Sequence, residues 1–334
     1  MSREVVAVGI AFWATLCVAS STVHAETQNP GAHTWTKEFA GQPLDLTGYD
    51  LSFSDEFDAD TITGNSGQGP WFAPGRASYG SATFDPPNGS TYTIDGGVMK
   101  IRATRGVNGE WHTGSVQTVD PSGKGFAQRY GYFEARMKVP AMPGAWCAFW
   151  LKSQAEHWDR SIVRTEIDVV EWYGGDPTGH HRAVHLWPPW PEFRTPDRLS
   201  EHWYLGNFSR HKELAGNWHT YGALITPEWV TVYLDRQEIG RFPTLEEFKT
   251  RLYPLVSLTL HEKEVDQAIP PFALEVDYVR VYAISTRGVS TLVGSPELSL
   301  SAAVSYCRSS NRLRASARVP LFAEESKRGC IETH

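Results

Sequence analysis

Cysteine is nearly absent from this 334-residue chain, which has four. Cys17 lies in an apolar leader, Cys147 in "GAWCAFWL", and Cys307 and Cys330 near the end. None falls in a spacing that holds zinc or cycles as a dithiol, so zinc-finger and thioredoxin-like chemistry are excluded. Cys147 reads as a small buried residue among apolar neighbours. Cys307 and Cys330 are expected to pair if the chain is exported. Long hydrophobic runs are also missing: beyond the leader, no stretch approaches the roughly 20 apolar residues that span a bilayer. Basic charge is short too. The net charge is −7, and the segment from Ser285 onward carries seven Lys or Arg against four Asp or Glu, which leaves residues 26–284 at −10. A body this acidic repels phosphate backbones and sulfated galactans, so nucleic acid is not an expected partner.

The leader has the layout of a secretory signal. Arg3 precedes "VVAVGIAFWATLCVA", and the small-residue site "VHA" predicts cleavage after Ala25. The expected product is an exported chain with no membrane association after cleavage. From Leu51 to Ile284 short strand patterns recur between Gly and Pro turns. "YGYFEARMKVP" places Phe133, Ala135, Met137 and Val139 on one face and Tyr130, Tyr132, Glu134, Arg136 and Lys138 on the other. "GAWCAFWLK", "TEIDVVEWY", "RAVHLW", "WHTYGALIT", "EWVTVYLD" and "FALEVDYVRVYA" follow. Regular strands without long helical periods predict an all-β sandwich of two antiparallel sheets. A short helix is expected at "TLEEFKTRL", with Thr244 as cap and Glu247 completing a capping box. Pro188 to Gly216 reads as a long Trp- and His-rich loop. The tail after Ile284 shifts to Ser, Ala and Arg and is expected to stand apart from the body.

The segment "TEIDVVEWYG" carries three acids in an apolar, β-branched run. Glu166 and Asp168 share a strand face, whereas Glu171 falls on the opposite one in a regular strand. A β-bulge at Val169 and Val170 would return Glu171 to the face of the other two. Three carboxylates cannot enter a core, so that face must meet solvent or a cleft. Crowded carboxylates raise one another's pKa, and a pair roughly 5–5.5 Å apart is what a retaining glycosidase uses. A calcium-binding strand and a solvated acidic face are the competing readings. Aromatic residues reach 12%, with 13 Trp, and indole rings stack on sugar faces as well as filling cores.

"EIDVVE" resembles the signature of glycoside hydrolase family 16 in its bulged form. "FSDEFD", "YGYFEARMKVP", "GAWCAFWLK", "WHTYG" and "VDYVRVY" are similar to family segments and occur in the family's order, from about Leu51 to Ala283. The resemblance implies a β-jelly-roll with a concave substrate cleft, Glu166 as nucleophile, Asp168 as assisting acid and Glu171 as acid/base. It places Trp146 and Trp150 along the cleft floor and Trp111 at its rim. His185, on the strand after the acids, would reach a sugar hydroxyl or a catalytic carboxylate. Trp187 and Trp190 would line subsites, while Trp172 would pack in the core. The resemblance also implies a structural calcium held by Glu56, Asp277 and a carbonyl near Gly97, with no cofactor for the chemistry.

Together these readings predict a signal peptide at 1–25, a catalytic jelly-roll at 26–284 and a tail at 285–334. The expected activity is endo-hydrolysis of β-1,3- or β-1,3-1,4-glucan by a monomer whose partner is the polysaccharide. A succinoglycan-type depolymerase, a cell-wall transglycosylase and a non-catalytic carbohydrate binder are the alternatives.

Overall fold

The computed structural model describes residues 41–64, 69–75, 79–190, 202–212 and 214–285. The leader with its Ala25 site, Cys17, Cys307, Cys330 and the tail from residue 286 lie outside the described residues. In chain order the strands are β1 (Tyr49–Asp55), β2 (Ile62–Thr63), β3 (Trp71–Phe72), β4 (Thr83–Phe84), β5 (Tyr92–Asp95), β6 (Val98–Arg105), β7 (Trp111–Gln117) and β8 (Gly131–Lys138). They continue with β9 (Ala145–Ser153), β10 (Arg164–Tyr173), β11 (Gly179–Trp187), β12 (Trp203–Arg210), β13 (Trp218–Ile225), β14 (Trp229–Leu234), β15 (Gln237–Pro243), β16 (Leu252–Leu260) and β17 (Phe272–Ile284).

Two antiparallel sheets result. One runs β15-β14-β13-β8-β17-β6-β5. The other runs β12-β11-β10-β9-β16-β7, with β3 and β2 beyond it. The hairpin of β6 and β7 passes from the first sheet to the second, pairing Thr104 with His112 and Arg105 with Trp111. This is the two-sheet sandwich expected from the strand pattern, in the β-jelly-roll form that the family resemblance implies.

Alternation explains which sheet faces meet. Phe133, Ala135 and Met137 of β8 point inward, as do Cys147, Phe149 and Leu151 of β9, and all are fully buried. They form one core with Ile167, Val169, Val170 and Trp172 of β10. Each such side chain contributes roughly 1.5–3 kcal/mol by leaving water. Burial also pushes the Cys147 thiol up, which keeps it neutral and inert. The polar face of β8 is less open than its sequence suggests. Glu134 is fully buried and accepts Arg236 Nε at 3.1 Å and Nη2 at 2.6 Å. Arg236 reaches it from a two-residue turn between β14 and β15, where Asp235 (φ 49°) and Arg236 (φ 59°) both adopt the left-handed region. Such a turn matches strand twist but disfavours side chains. Here the Thr220 amide donates to Asp235 at 2.9 Å, and the Glu134 pair holds Arg236.

Two local expectations are corrected. Residues 203–210, read as loop, form β12, which pairs with β11 along its whole length from Gly179↔Arg210 to Leu186↔Trp203. The helix at "TLEEFKTRL" shrinks to a 3-10 turn at Glu246–Phe248. Thr244 does not cap it: the cap position falls on Leu245, whose side chain cannot accept, and the Thr244 hydroxyl donates to the Thr226 carbonyl at 2.9 Å. No helix among the described residues is long and apolar enough to cross a membrane. The chain divides into the body, residues 41–46 and 51–283, and a second unit of which 47–50 and 284–285 are described. In that unit the Ser285 amide donates to Gly48 and its hydroxyl to Asp50, each at 2.7 Å.

Candidate active site

β10 is bulged where the acids require it. Against β9, Asp168 pairs with Trp150 and Val170 with Phe149, so Val169 is the extra residue. Against β11, Asp168 pairs with Ala183 and Glu171 with His181. Both valines are fully buried, and Glu166, Asp168 and Glu171 line one cleft. The bulge takes the Val169 carbonyl out of the ladder. His180, fully buried on β11, donates Nε2 to that carbonyl at 2.9 Å. Burial depresses His180 to about 3, so the ring is neutral and serves as a hydrogen-bond donor only. Nothing in the sequence marks His180 for this task, since its partner is a main-chain oxygen on another strand.

The cleft encloses about 300 Å³, and Tyr79, Trp146, Trp150 and Trp187 surround the acids. Trp146 Nε1 donates to Glu171 Oε1 at 3.1 Å, and Tyr173 Oη donates to the same oxygen at 3.0 Å. Trp150 Nε1 donates to Ser257 at 3.2 Å from the neighbouring strand β16. His185 Nε2 sits 2.9 Å from Asp168 Oδ2 and 3.9 Å from Glu166 Oε1. The approach to Asp168 is off-line for a hydrogen bond, and that oxygen has no hydrogen-bond partner. Behind His185, Nδ1 meets His202 Nε2 at 2.8 Å, and His202 stacks on Trp187 with centroids 3.5 Å apart. A larger depression of about 620 Å³ near Asp120 and Lys124 contains none of these groups, so size does not locate the chemistry.

Electrostatics set the three acids against full ionisation. Burial, then the neighbouring Asp168 charge, pushes Glu166 up to about 8, while His185 and Lys152 pull the other way. Burial and Glu171 hold Asp168 well above the usual carboxylate range. Burial raises Glu171 too, against the hydrogen bonds from Tyr173 and Trp146 that favour its anion. All three acids therefore hold their protons to higher pH than free carboxylates do, which suits a site that needs both an acid and a carboxylate. Burial lowers His185 and takes His202 to about 4, so this pair is a neutral donor and acceptor. Glu166, Asp168 and His185 offer atoms within 4.8 Å of one another, a spacing that could hold a divalent ion as well as a shared proton.

The remaining candidates divide. Trp146, Trp150, His185 and Trp187 stand at the acids, and Trp172 is core. Trp111 is not at the rim: it is 5% exposed and packs against Phe272 at 5.9 Å. Trp190 lies against Arg164, whose Cζ is 4.5 Å from the ring, and is not among the cleft-lining residues. Tyr79 was not foreseen; it meets Trp146 and Trp150 edge-on at 5.5 and 6.0 Å. For the implied calcium, Glu56 accepts both Nε and Nη2 of Arg280 at 2.9 and 2.8 Å, and Asp277 accepts Arg136 at 2.5 Å. A Cβ on Gly97 would sit 3.7 Å from the Glu56 carbonyl. Both carboxylates are neutralised by guanidinium groups, so this set does not fit a hard cation, which needs free oxygens.

The model of glycosyl hydrolases family 16 matches residues 88–262, more than half of the chain. The chain belongs to family 16. It is 29% identical over 266 residues to the endo-1,3-1,4-β-glycanase EglC of Rhizobium meliloti, and 28% identical over the same length to ExsH of that organism, which carries the same description. Each alignment covers 72% of this chain and 53% of the relative, so the chain spans about half the length of the curated relatives it matches. Among solved structures, SCLam, a non-specific endo-β-1,3(4)-glucanase of family 16, aligns with a TM-score of 0.59 at 19% identity. That alignment covers 77% of this chain and 98% of SCLam, and it shows the shared fold. The bulge and the cleft-lining acids of "EIDVVE" lie within the matched residues.

Proposed function

We propose that this chain is a retaining endo-β-glycosidase that cuts internal links of β-1,3- or mixed β-1,3-1,4-glucan. The observation that carries the reading is the β10 bulge, which turns Glu171 onto the face of Glu166 and Asp168 inside an aromatic cleft. A binder needs rings for stacking, but it has no need of three crowded acids whose protons are held above the usual carboxylate range. The relatives named as 1,3-1,4-β-glycanases support the choice of glucan. The signal-like leader supports export of the chain.

In the first step Glu166, ionised, attacks the anomeric carbon and forms a glycosyl ester. Glu171 gives its proton to the departing glycosidic oxygen, so the C–O bond breaks without releasing an alkoxide. Glu171, now a carboxylate, takes a proton from water. That water attacks the anomeric carbon, frees Glu166 and restores the configuration. Trp146 and Tyr173 hold Glu171 Oε1 in place, which leaves the other oxygen to carry the transferred proton. Asp168 and His185 sit beside Glu166 and set how readily it loses its own proton.

Reducing-sugar release from laminarin, lichenan, xyloglucan, agarose and succinoglycan tests the reading. Laminarin or lichenan is expected to respond, with Glu166→Gln and Glu171→Gln each slower by at least ~10³-fold and Asp168→Asn slowed less. Near-normal turnover in Glu166→Gln would remove the nucleophile assignment.

A further inference from the structure

β12 is the outermost strand of the cleft sheet among the described residues, and its outer face is built in rungs with β11. Three rungs face the cleft side: His181 opposite Phe208, Ala183 opposite Gly206, and His185 opposite Tyr204. The first and last are stacked aromatic pairs with centroids at 5.5 and 5.8 Å, and past the end of the ladder Trp187 stacks on His202 at 3.5 Å. Only the Ala183–Gly206 rung is small. It continues the line of Trp150 and Asp168 across the strands, because Trp150 pairs with Asp168 and Asp168 with Ala183. A trough therefore leaves the catalytic acids at Asp168 and runs to the sheet edge. The walls are four residues apart along β11, about 13 Å, and two strand spacings carry the floor about 10 Å outward. The space above it measures about 280 Å³.

Two features show that the trough is built rather than left over. Glycine in the middle of a strand weakens it and commonly marks close approach by a ligand. At Gly206 a Cβ would meet nothing nearer than 3.7 Å and the backbone is not left-handed, so neither crowding nor conformation requires glycine. What glycine does is keep the floor low. The outer wall is also braced: Asp176 reaches His181 at 3.2 Å and Arg210 at 2.6 Å, and Arg210 lies over the Phe208 ring at 5.6 Å. Even so, Tyr204 is 59% and Phe208 52% exposed, so both rings present a surface on the same face of β12.

We propose that the Ala183–Gly206 trough is a sugar subsite, holding pyranose units of the same glucan that lie beyond the cleaved bond, between the His181–Phe208 and His185–Tyr204 walls. The assignment rests on the proposed function and adds the path by which the substrate leaves the acids. Sugar rings carry apolar C–H faces that stack on aromatic rings, and Tyr204 and Phe208 present such rings to solvent.

The test uses β-1,3-1,4-gluco-oligosaccharides of increasing length, titrated by calorimetry into the full chain carrying Glu166→Gln, with and without Gly206→Leu, Gly206→Ala and Phe208→Ala. Affinity for the longest oligosaccharide is expected to fall roughly tenfold with Gly206→Leu, and two- to tenfold with Phe208→Ala. Gly206→Ala should lose least, because its Cβ meets only ordinary contacts; that graded series separates filling of the trough from misfolding. In chains with Glu166 intact, the kcat/KM ratio of long to short oligosaccharides should shrink in the same order. Equal affinities across the Gly206 series would overturn the trough, whether or not the wild type hydrolyses the glucan. Graded affinities without hydrolysis would support the trough and instead count against the hydrolase reading.

Discussion

As the proposed nucleophile, Glu166 would draw its reactivity from what stands beside it. Burial and Asp168 hold its proton on, and the Lys152 cation, opposite it on β9, helps to draw it off. The nucleophile must be ionised in the free enzyme, so the acid limb of kcat/KM should lie above the usual glutamate range. Removing the Lys152 cation removes a stabiliser of the Glu166 anion, which raises its pKa and moves that limb to higher pH. Lys152→Gln is therefore expected to shift the acid limb upward in a pH profile of kcat/KM. A limb that stays in place or moves down would show that Lys152 does not act on Glu166. The acids themselves were legible because carboxylates in a run of Ile, Val, Trp and Tyr contradict burial and demand a reason. Trp111 was misread because a tryptophan after a turn has the same sequence neighbourhood at a rim and in a core, and only the packing of Phe272 decides.

β10 works because its bulge is held on both sides. Its two valines fill the core, and His180 satisfies the carbonyl that the bulge releases. A buried carbonyl left without a donor costs about 1–3 kcal/mol. His180→Phe keeps an aromatic volume but removes the donor, so denaturant unfolding should show a loss of about that size, with kcat falling as Glu171 loses its setting. Unchanged stability would mean that the bulge does not need this latch. The bulge could be read in advance, since two apolar residues between Asp168 and Glu171 are one too many for strand alternation. β12 could not: Gly206, Asn207 and Ser209 interrupt its alternation, and the strand gains its register from β11 rather than from its own pattern. The helix expected at "TLEEFKTRL" is only a 3-10 turn, because the cap position falls on Leu245, which offers no oxygen to the first free amides.

The whole body is a jelly-roll of family 16 in which one sheet supplies the core's second wall and, on its other face, the cleft. That division was visible in the order of the strand motifs. The path of a polysaccharide across the cleft was not, because it depends on which residues face one another across five strands. Proton NMR of the anomeric region during the first turnovers on mixed-linkage β-glucan tests double displacement at this site most directly. Two displacements at Glu166 and Glu171 predict that the β-hemiacetal appears first, with the α form growing only by mutarotation. An α-hemiacetal formed first would mean a single inverting attack by water, and Glu166 would not be the nucleophile.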